Sequence, residues 1–142
     1  MNHPSTREYA FLIQPTPSQI RQIIALYRLA GWWGDCEPDD PEQVARIVSG
    51  SHCFLVVMRE GEIVGMGRAI SDRASDAYIQ DVTVKPECRG QRIGTWIVEK
   101  LIERLHRDGL GWIGLIAERG SHEFYRRMGF REMPNSLPML KL

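Results

Sequence analysis

Apolar residues recur along the chain with two periods, and the switches between them mark out its elements. Ile93, Ile97, Val98, Leu101, Ile102 and Leu105 fall at helical spacing, a stripe that one helix face can bury. Just before them, Tyr78 to Lys85 (YIQDVTVK) is rich in β-branched and aromatic residues, the composition of a strand. Pro86 has no N–H to give a ladder, so that strand should end there. Upstream, Tyr9 to Gln14 predicts a first strand. Thr16-Pro17-Ser18-Gln19 is a capping box with proline at the first helical position. Ile20, Ile23, Ile24 and Tyr27 give the helix it opens one apolar face, ending near Gly31. Asp40-Pro41-Glu42-Gln43 opens a second helix that runs to about Val48. Cys53–Arg59 and Ile63–Ile70 read as strands joined by the hairpin signal Glu60-Gly61-Glu62. Beyond the helix stop at Asp108-Gly109, Trp112 to Ala117 predicts a buried strand. It should run parallel to Tyr78–Lys85, because a helix crosses over between them. Ser121–Met128 predicts a short helix, Phe130–Met133 a short strand and Pro138–Leu142 a closing strand.

The order is therefore strand, two helices, three antiparallel strands, helix, strand, helix, strand. It predicts an α+β fold, a mixed and mostly antiparallel sheet flanked by helices. At 142 residues without internal repeats, residues 1–142 should form one domain with a full core. A formal net charge of +0 argues against nucleic acid or an anionic membrane as the partner, since both grips rest on excess Lys and Arg. No apolar run reaches membrane-spanning length, and MNHPSTREY carries no apolar signal core. A cytoplasmic location is the resulting expectation. The three cysteines, Cys36, Cys53 and Cys88, include no C-x-x-C pair and read as reduced thiols. The four histidines, His3, His52, His106 and His122, lack metal-ligand spacing, so no metal is expected and surface or packing roles suit them.

Candidate chemistry concentrates between the strand and the long helix, in Arg89-Gly90-Gln91-Arg92-Ile93-Gly94. Two glycines let the backbone curl, and the first N–H groups of the following helix point into the curl. Such a nest can hold an anion, helped by the helix dipole and by arginine forks. Spacing alone leaves a plain polar connection equally open. The loop lacks the Gly-Lys-Ser/Thr ending of the P-loop and the glycine spacing of the dinucleotide fingerprint.

This segment resembles the acyl-CoA-binding motif of the GNAT superfamily of N-acetyltransferases, Arg/Gln-x-x-Gly-x-Gly/Ala, with Arg89 in the first place and Gly94 in the last. Arg92 stands where the middle glycine is usual, which puts a side chain beside the expected pyrophosphate. Glu123-Phe124-Tyr125-Arg126-Arg127-Met128-Gly129-Phe130 resembles the family's second motif, Phe/Leu-Tyr-x-Lys/Arg-x-Gly-Phe. The resemblance can be followed from Phe11 to Leu142. It implies the GNAT fold, in which the strand before the phosphate loop splays from its parallel neighbour and holds the pantetheine arm as β-augmentation holds a peptide. It implies acetyl-CoA as co-substrate and an acyltransferase activity. The cofactor-binding residues it implies are Val82, Thr83, Val84, Arg89, Gly90, Gln91, Arg92, Ile93, Gly94, Thr95, Phe124 and Arg127. A homodimer is implied by analogy alone.

Acetyl transfer to an amine needs a proton taken from the amine, a donor for the oxyanion and a proton for the departing thiolate. Asp81 is the candidate base, or an anchor for the amine, because a carboxylate in an apolar strand is costly unless used. A solvated Asp, or one paired with an arginine, is the alternative. Val82 N–H is the candidate oxyanion donor. Tyr125, matching the family tyrosine near the thioester sulfur, is the candidate acid, against a core role. Glu118 stands where the family often has Asn, and Ser121 where alanine is usual. Glu118 thereby becomes a second acid–base or substrate candidate. Trp32 and Trp33 follow the first helix and can form an aromatic wall, although adjacent loop residues tend to point apart and one should be core. The acidic stretch beside them is largely accounted for, with Asp40 as an N-cap. Val64–Ala69, Ile79–Val84 and the Met133–Met139 tail also resemble, more loosely, the branch that contains plant and cyanobacterial serotonin N-acetyltransferases. That suggests a small primary amine, an arylalkylamine among them, with a protein lysine or N-terminus as the alternative. A non-catalytic acyl-CoA-binding regulatory module is the competing class.

Overall fold

A computed structural model describes residues 6–142; His3 lies outside them. Five strands form one sheet in the order β1-β2-β3-β4-β5. They are β1 (Arg7–Phe11), β2 (Cys53–Arg59), β3 (Glu62–Ser71), β4 (Asp76–Val84) and β5 (Trp112–Leu115). The first four pair antiparallel, and β4 pairs parallel with β5. The helices are α1 (Pro17–Leu29), α2 (Pro41–Gly50), α3 (Ile93–Arg107) and α4 (His122–Arg126).

The sheet is covered on both faces, and β2 shows how one strand serves both. Cys53, Leu55 and Val57 pack on the α3 side, where Ile93, Ile97, Val98, Leu101 and Leu105 are buried. Phe54 and Val56 point the other way, onto Ile23, Ile24 and Tyr27 of α1 and Val44 and Val48 of α2. Period-2 alternation thus sends one strand into two cores. The helix starts form as their caps dictate. Thr16 and Gln19 complete the reciprocal capping box of α1, and the Asp40 side chain accepts from Gln43 N at 3.1 Å. The acidic stretch is partly structural, since Asp39 pairs with Arg28 at 2.6 Å.

Two features of β4 prepare the site. Its pairing with β5 runs only from Asp76↔Trp112 to Ile79↔Leu115, while β4 continues to Val84. Beyond Ile79 the two strands part, and the edge of β4 facing β5 is left open. At the point of parting, Gly67 opposes both Asp81 and Val82, because Met66 pairs with Thr83 and Arg68 with Gln80. This is a β-bulge, with Asp81 at φ 59, a backbone region that Asp tolerates better than most residues. Without it, alternation would put Asp81 on the α3 face with Ala77 and Ile79. With it, Val82 takes the inward place, its Cγ2 lying 3.2 Å from where a Cβ on Gly67 would sit.

Four sequence expectations are corrected, one of them the buried strand Trp112–Ala117: β5 stops at Leu115 and is half-buried, with Trp112 and Ile116 exposed. Phe130–Met133 and Pro138–Leu142 are not strands, and β1 stops at Phe11 rather than Gln14. Pro134 and Pro138 cannot donate to a ladder, and a turn at Pro134-Asn135, with Asn135 at φ 53, breaks the run. Leu137, Met139, Leu140 and Leu142 are consequently exposed. Among the described residues, no helix is long and apolar enough to cross a membrane.

Candidate active site

The parting of β4 and β5 opens a cleft of about 1010 Å³. One wall is β4 from Tyr78 to Val84; the other is Leu115, Ile116 and the turn that follows β5. The start of α3 closes one end, and the loop after α1 lies at the other.

At the α3 end, Pro86–Cys88 forms a short 3-10 turn, and the chain then curls through Gly90 at φ 78 and Arg92 at φ 62. Trp96 N–H is the first to bond back into the helix, to Arg92 O at 3.0 Å. The N–H groups of Ile93, Gly94 and Thr95 therefore lack an intrahelical acceptor, and all three residues line the cleft. Arg92 takes the left-handed conformation itself, so a residue with a side chain serves where the motif's glycine is usual. Arg89, Arg92 and Arg127 also line this end, and none forms an ion pair among the described residues. Gly94 lies on the floor beside Phe124 and Val84, where a Cβ would stand 3.5 Å from Phe124 Cζ and 3.8 Å from Val84 Cγ2, in ordinary contact. Unfilled N–H groups, a helix dipole and three unpaired cations suit a polyphosphate. The residues present fit the phosphate arm of acetyl-CoA.

The middle of the cleft carries the titratable groups. Asp81 Oδ2 accepts from Arg68 Nε at 2.6 Å and from Tyr27 Oη at 2.6 Å. Asp81 Oδ1 has no partner among the described residues. Arg68 is fixed in turn by Gln80 Oε1 at 3.1 Å and Ser51 Oγ at 3.3 Å. Burial, and then the Asp81 carboxylate, push the Tyr27 phenol far up, so it stays protonated and donates to Asp81. Tyr125 packs edge-on to Phe124 and Phe130, with centroids at 4.9 and 5.7 Å. Its phenol is raised above the ordinary value, first by burial and then by the charge of Glu118.

At the far end Glu118 Oε2 accepts from Trp32 Nε1 at 3.2 Å, and Arg119 donates to Ala30 O at 2.5 Å. Together they tie the loop after α1 to the turn after β5. Both tryptophans pack against Tyr27 and the α1 core, with ring centroids at 6.0 Å for Trp32 and 4.2 Å for Trp33, and they differ in what else they face. Trp32 lines the cleft, whereas Trp33 stacks on Tyr27 at 4.2 Å and 9°. The cleft gathers every predicted site residue except Trp33 and Gln91. Gln91 turns outward, its side chain accepting from Arg59 and its carbonyl from Arg7. Asp35 and Glu37, in the acidic stretch after the tryptophans where they could attract a cationic amine, lie outside the lining as well.

The sequence reading missed Arg68, Tyr27 and Arg119. A signal existed for Arg68, because an arginine near the middle of an otherwise apolar β3 needs a partner, and the neighbouring strand offers only Asp81 and Gln80 as side-chain acceptors near it. Nothing in sequence spacing marks Arg119, whose backbone at φ 54 is set by the turn.

The sequence pattern of the acetyltransferase (GNAT) family matches residues 18–130. The chain is 43% identical over 75 residues to histone acetyltransferase TAP1 of Glycine max, covering 53% of this chain and 32% of that protein. It is 35% identical over 77 residues to the chloroplastic serotonin N-acetyltransferase 2 of Oryza sativa, covering 54% of this chain and 38% of that protein. The chain thus matches well under half the length of these curated relatives. A probable acetyltransferase from Staphylococcus aureus superposes with TM-score 0.78 at 22% identity, covering 96% of this chain and 99% of that one. At that identity the likeness shows the fold.

Proposed function

The chain is a member of the acetyltransferase (GNAT) family, and from that premise we propose that it transfers the acetyl group of acetyl-CoA to a small primary amine, acting as one domain over residues 1–142. The observation that carries this reading is the sequence of features along one cleft. An anion-binding helix start lies at one end, an open strand edge runs along the middle, and a carboxylate beside an indole stands at the other end.

In this proposal the arm of the coenzyme lies along the β4 edge from Val82 to Val84, between the Arg89–Thr95 nest and Phe124. The amine arrives as an ammonium with a pKa of about 10.4. Asp81, through its open oxygen or a bridging water, removes the proton, with Arg68 and Tyr27 holding its carboxylate in place. The amine nitrogen forms its bond to the thioester carbonyl carbon, and Val82 N–H meets the oxyanion. As the C–S bond breaks, the thiolate, with an ordinary pKa of about 8.5, takes its proton from Tyr125, and the Tyr125 phenolate recovers a proton from the nitrogen, which sheds it on becoming an amide. Glu118 draws the cationic amine toward the Trp32 end.

An aromatic face beside a carboxylate suits an arylalkylammonium. The likeness to the rice serotonin N-acetyltransferase supports that acceptor; the likeness to a soybean histone acetyltransferase supports a protein lysine as the second reading. A reducing compartment, such as the cytoplasm, is the proposed setting, supported by the free thiols of Cys36, Cys53 and Cys88. The test compares turnover of tryptamine-like amines, polyamines, aminoglycosides and lysine peptides. Tryptamine-like amines should lead, and Trp32→Ala should erase their lead while Trp33→Ala acts only through stability. Equal rates across the panel, unaltered by Trp32→Ala, would remove the arylalkylamine assignment.

A further inference from the structure

The loop between β4 and α3 is braced from behind by side chains that do not line the large cleft. Arg59, the last residue of β2, donates from Nη1 to Gln91 Oε1 at 2.7 Å and from Nη2 to Cys88 Sγ at 2.9 Å. Arg7 of β1 donates from Nη1 to Gln91 O at 2.5 Å. Cys88, 3% exposed, is fixed by burial as well. One planar guanidinium thus spans both ends of the segment Cys88–Gln91; Cys88, Arg89 and Gly90 line the cleft, and Gln91 does not. Holding the ends of so short a segment sets the bow of its middle.

A second observation points the same way. Arg7 and Arg59 are directly opposed partners in the β1–β2 ladder. Like charges in that relation repel, and neither residue pairs with a carboxylate among the described residues. What the two arginines share is the loop, with all three of their side-chain hydrogen bonds ending on Cys88 or Gln91. Their charges also stand behind a site already cationic at its front, where Arg89 and Arg92 line the cleft.

The geometry points to Arg59 as a positioning residue for the proposed coenzyme phosphates. It fixes the Arg89–Gly90 curve from the far side of the loop without touching the ligand. This inference rests on the acetyl-CoA reading of the cleft. Lysine cannot replace the fork, since it offers a point charge rather than two coplanar donors.

The test measures CoA affinity by calorimetry, together with steady-state constants for both substrates, in the full chain. Arg59→Ala should raise the acetyl-CoA KM and the CoA Kd about tenfold, the weight of one charge-assisted hydrogen bond. The amine KM and kcat should stay within about twofold, the signature of an interaction made equally in ground and transition states. Arg59→Lys should recover only part of the affinity. Gln91→Ala should weaken CoA binding less than Arg59→Ala, and the double variant should be no weaker than Arg59→Ala alone, because both changes break one linkage. Additive losses in the double variant would overturn the bracing role. So would an Arg59→Ala protein whose CoA affinity is unchanged while Arg89→Ala weakens it, and that outcome would leave the phosphate site standing. A wild-type protein that binds no CoA would overturn the acetyl-CoA reading, and this inference with it.

Discussion

Tyr125→Phe should lower kcat by on the order of 10²–10⁴-fold, the range for lost general acid–base work, with CoA affinity almost unchanged. Phenylalanine keeps the ring and its edge contacts with Phe124 and Phe130, so what is removed is the hydroxyl alone. Burial and the Glu118 charge both keep the phenol protonated by raising its pKa above the ordinary value. The sign of the pH dependence follows. A raised phenol pKa keeps the acid form intact through neutral and mildly alkaline pH, so kcat should not fall there through loss of the Tyr125 proton. Glu118→Gln removes one of the two causes of the shift and should move the alkaline limb of the kcat profile to lower pH. Asp81→Asn should also reduce kcat, since the amide keeps the shape but takes no proton. Full activity of Tyr125→Phe or Asp81→Asn across the pH range would remove that residue from the mechanism.

Replacing Arg89 and Arg92 together by alanine should weaken acetyl-CoA binding by about 3 kcal/mol, roughly a hundredfold, at about 1.5 kcal/mol for each charge-assisted bond. Both line the helix end of the cleft, and neither has an ion-pair partner among the described residues. Their charge is therefore available to a ligand, and the affinity should fall as salt rises. Arg92 needs a separate control because it sits at φ 62, where a Cβ is strained. Arg92→Gly removes the charge and relieves the backbone together. It should bind CoA more weakly than wild type with no loss of fold, which assigns the loss to charge. Calorimetry on these variants decides the point; unchanged affinity in the double variant would contradict the phosphate assignment.

Much of this site could be read before any coordinates. Period and caps place α1 and α2 to within a few residues, because one apolar stripe and one side-chain acceptor define each, and the apolar stripe alone places α3. The two motif segments lie far apart in sequence, yet Gly94 and Phe124 meet across the cleft floor. Less legible were features that depend on register. The bulge at Asp81 breaks the alternation by one residue and turns its carboxylate to Arg68 and Tyr27 on the α1 side. The sequence offered an arginine partner as one fate of Asp81 without saying which arginine. The closing strands predicted from Phe130 onward failed for another reason: β-branched content is low there, and Pro134 and Pro138 interrupt the donors. The Arg59 brace joins residues 29 and 32 positions apart, a distance that no local pattern spans.

The central claim is that this cleft turns acetyl-CoA over rather than merely holding it. Release of free CoA thiol, followed with and without tryptamine and matched to acetylated amine by mass spectrometry, tests it most directly. The account predicts amine-dependent thiol release, one acetylated amine per thiol, lost in Tyr125→Phe. Tight CoA binding with no thiol release across the amine panel would contradict it and mark the protein as an acyl-CoA-binding module without turnover.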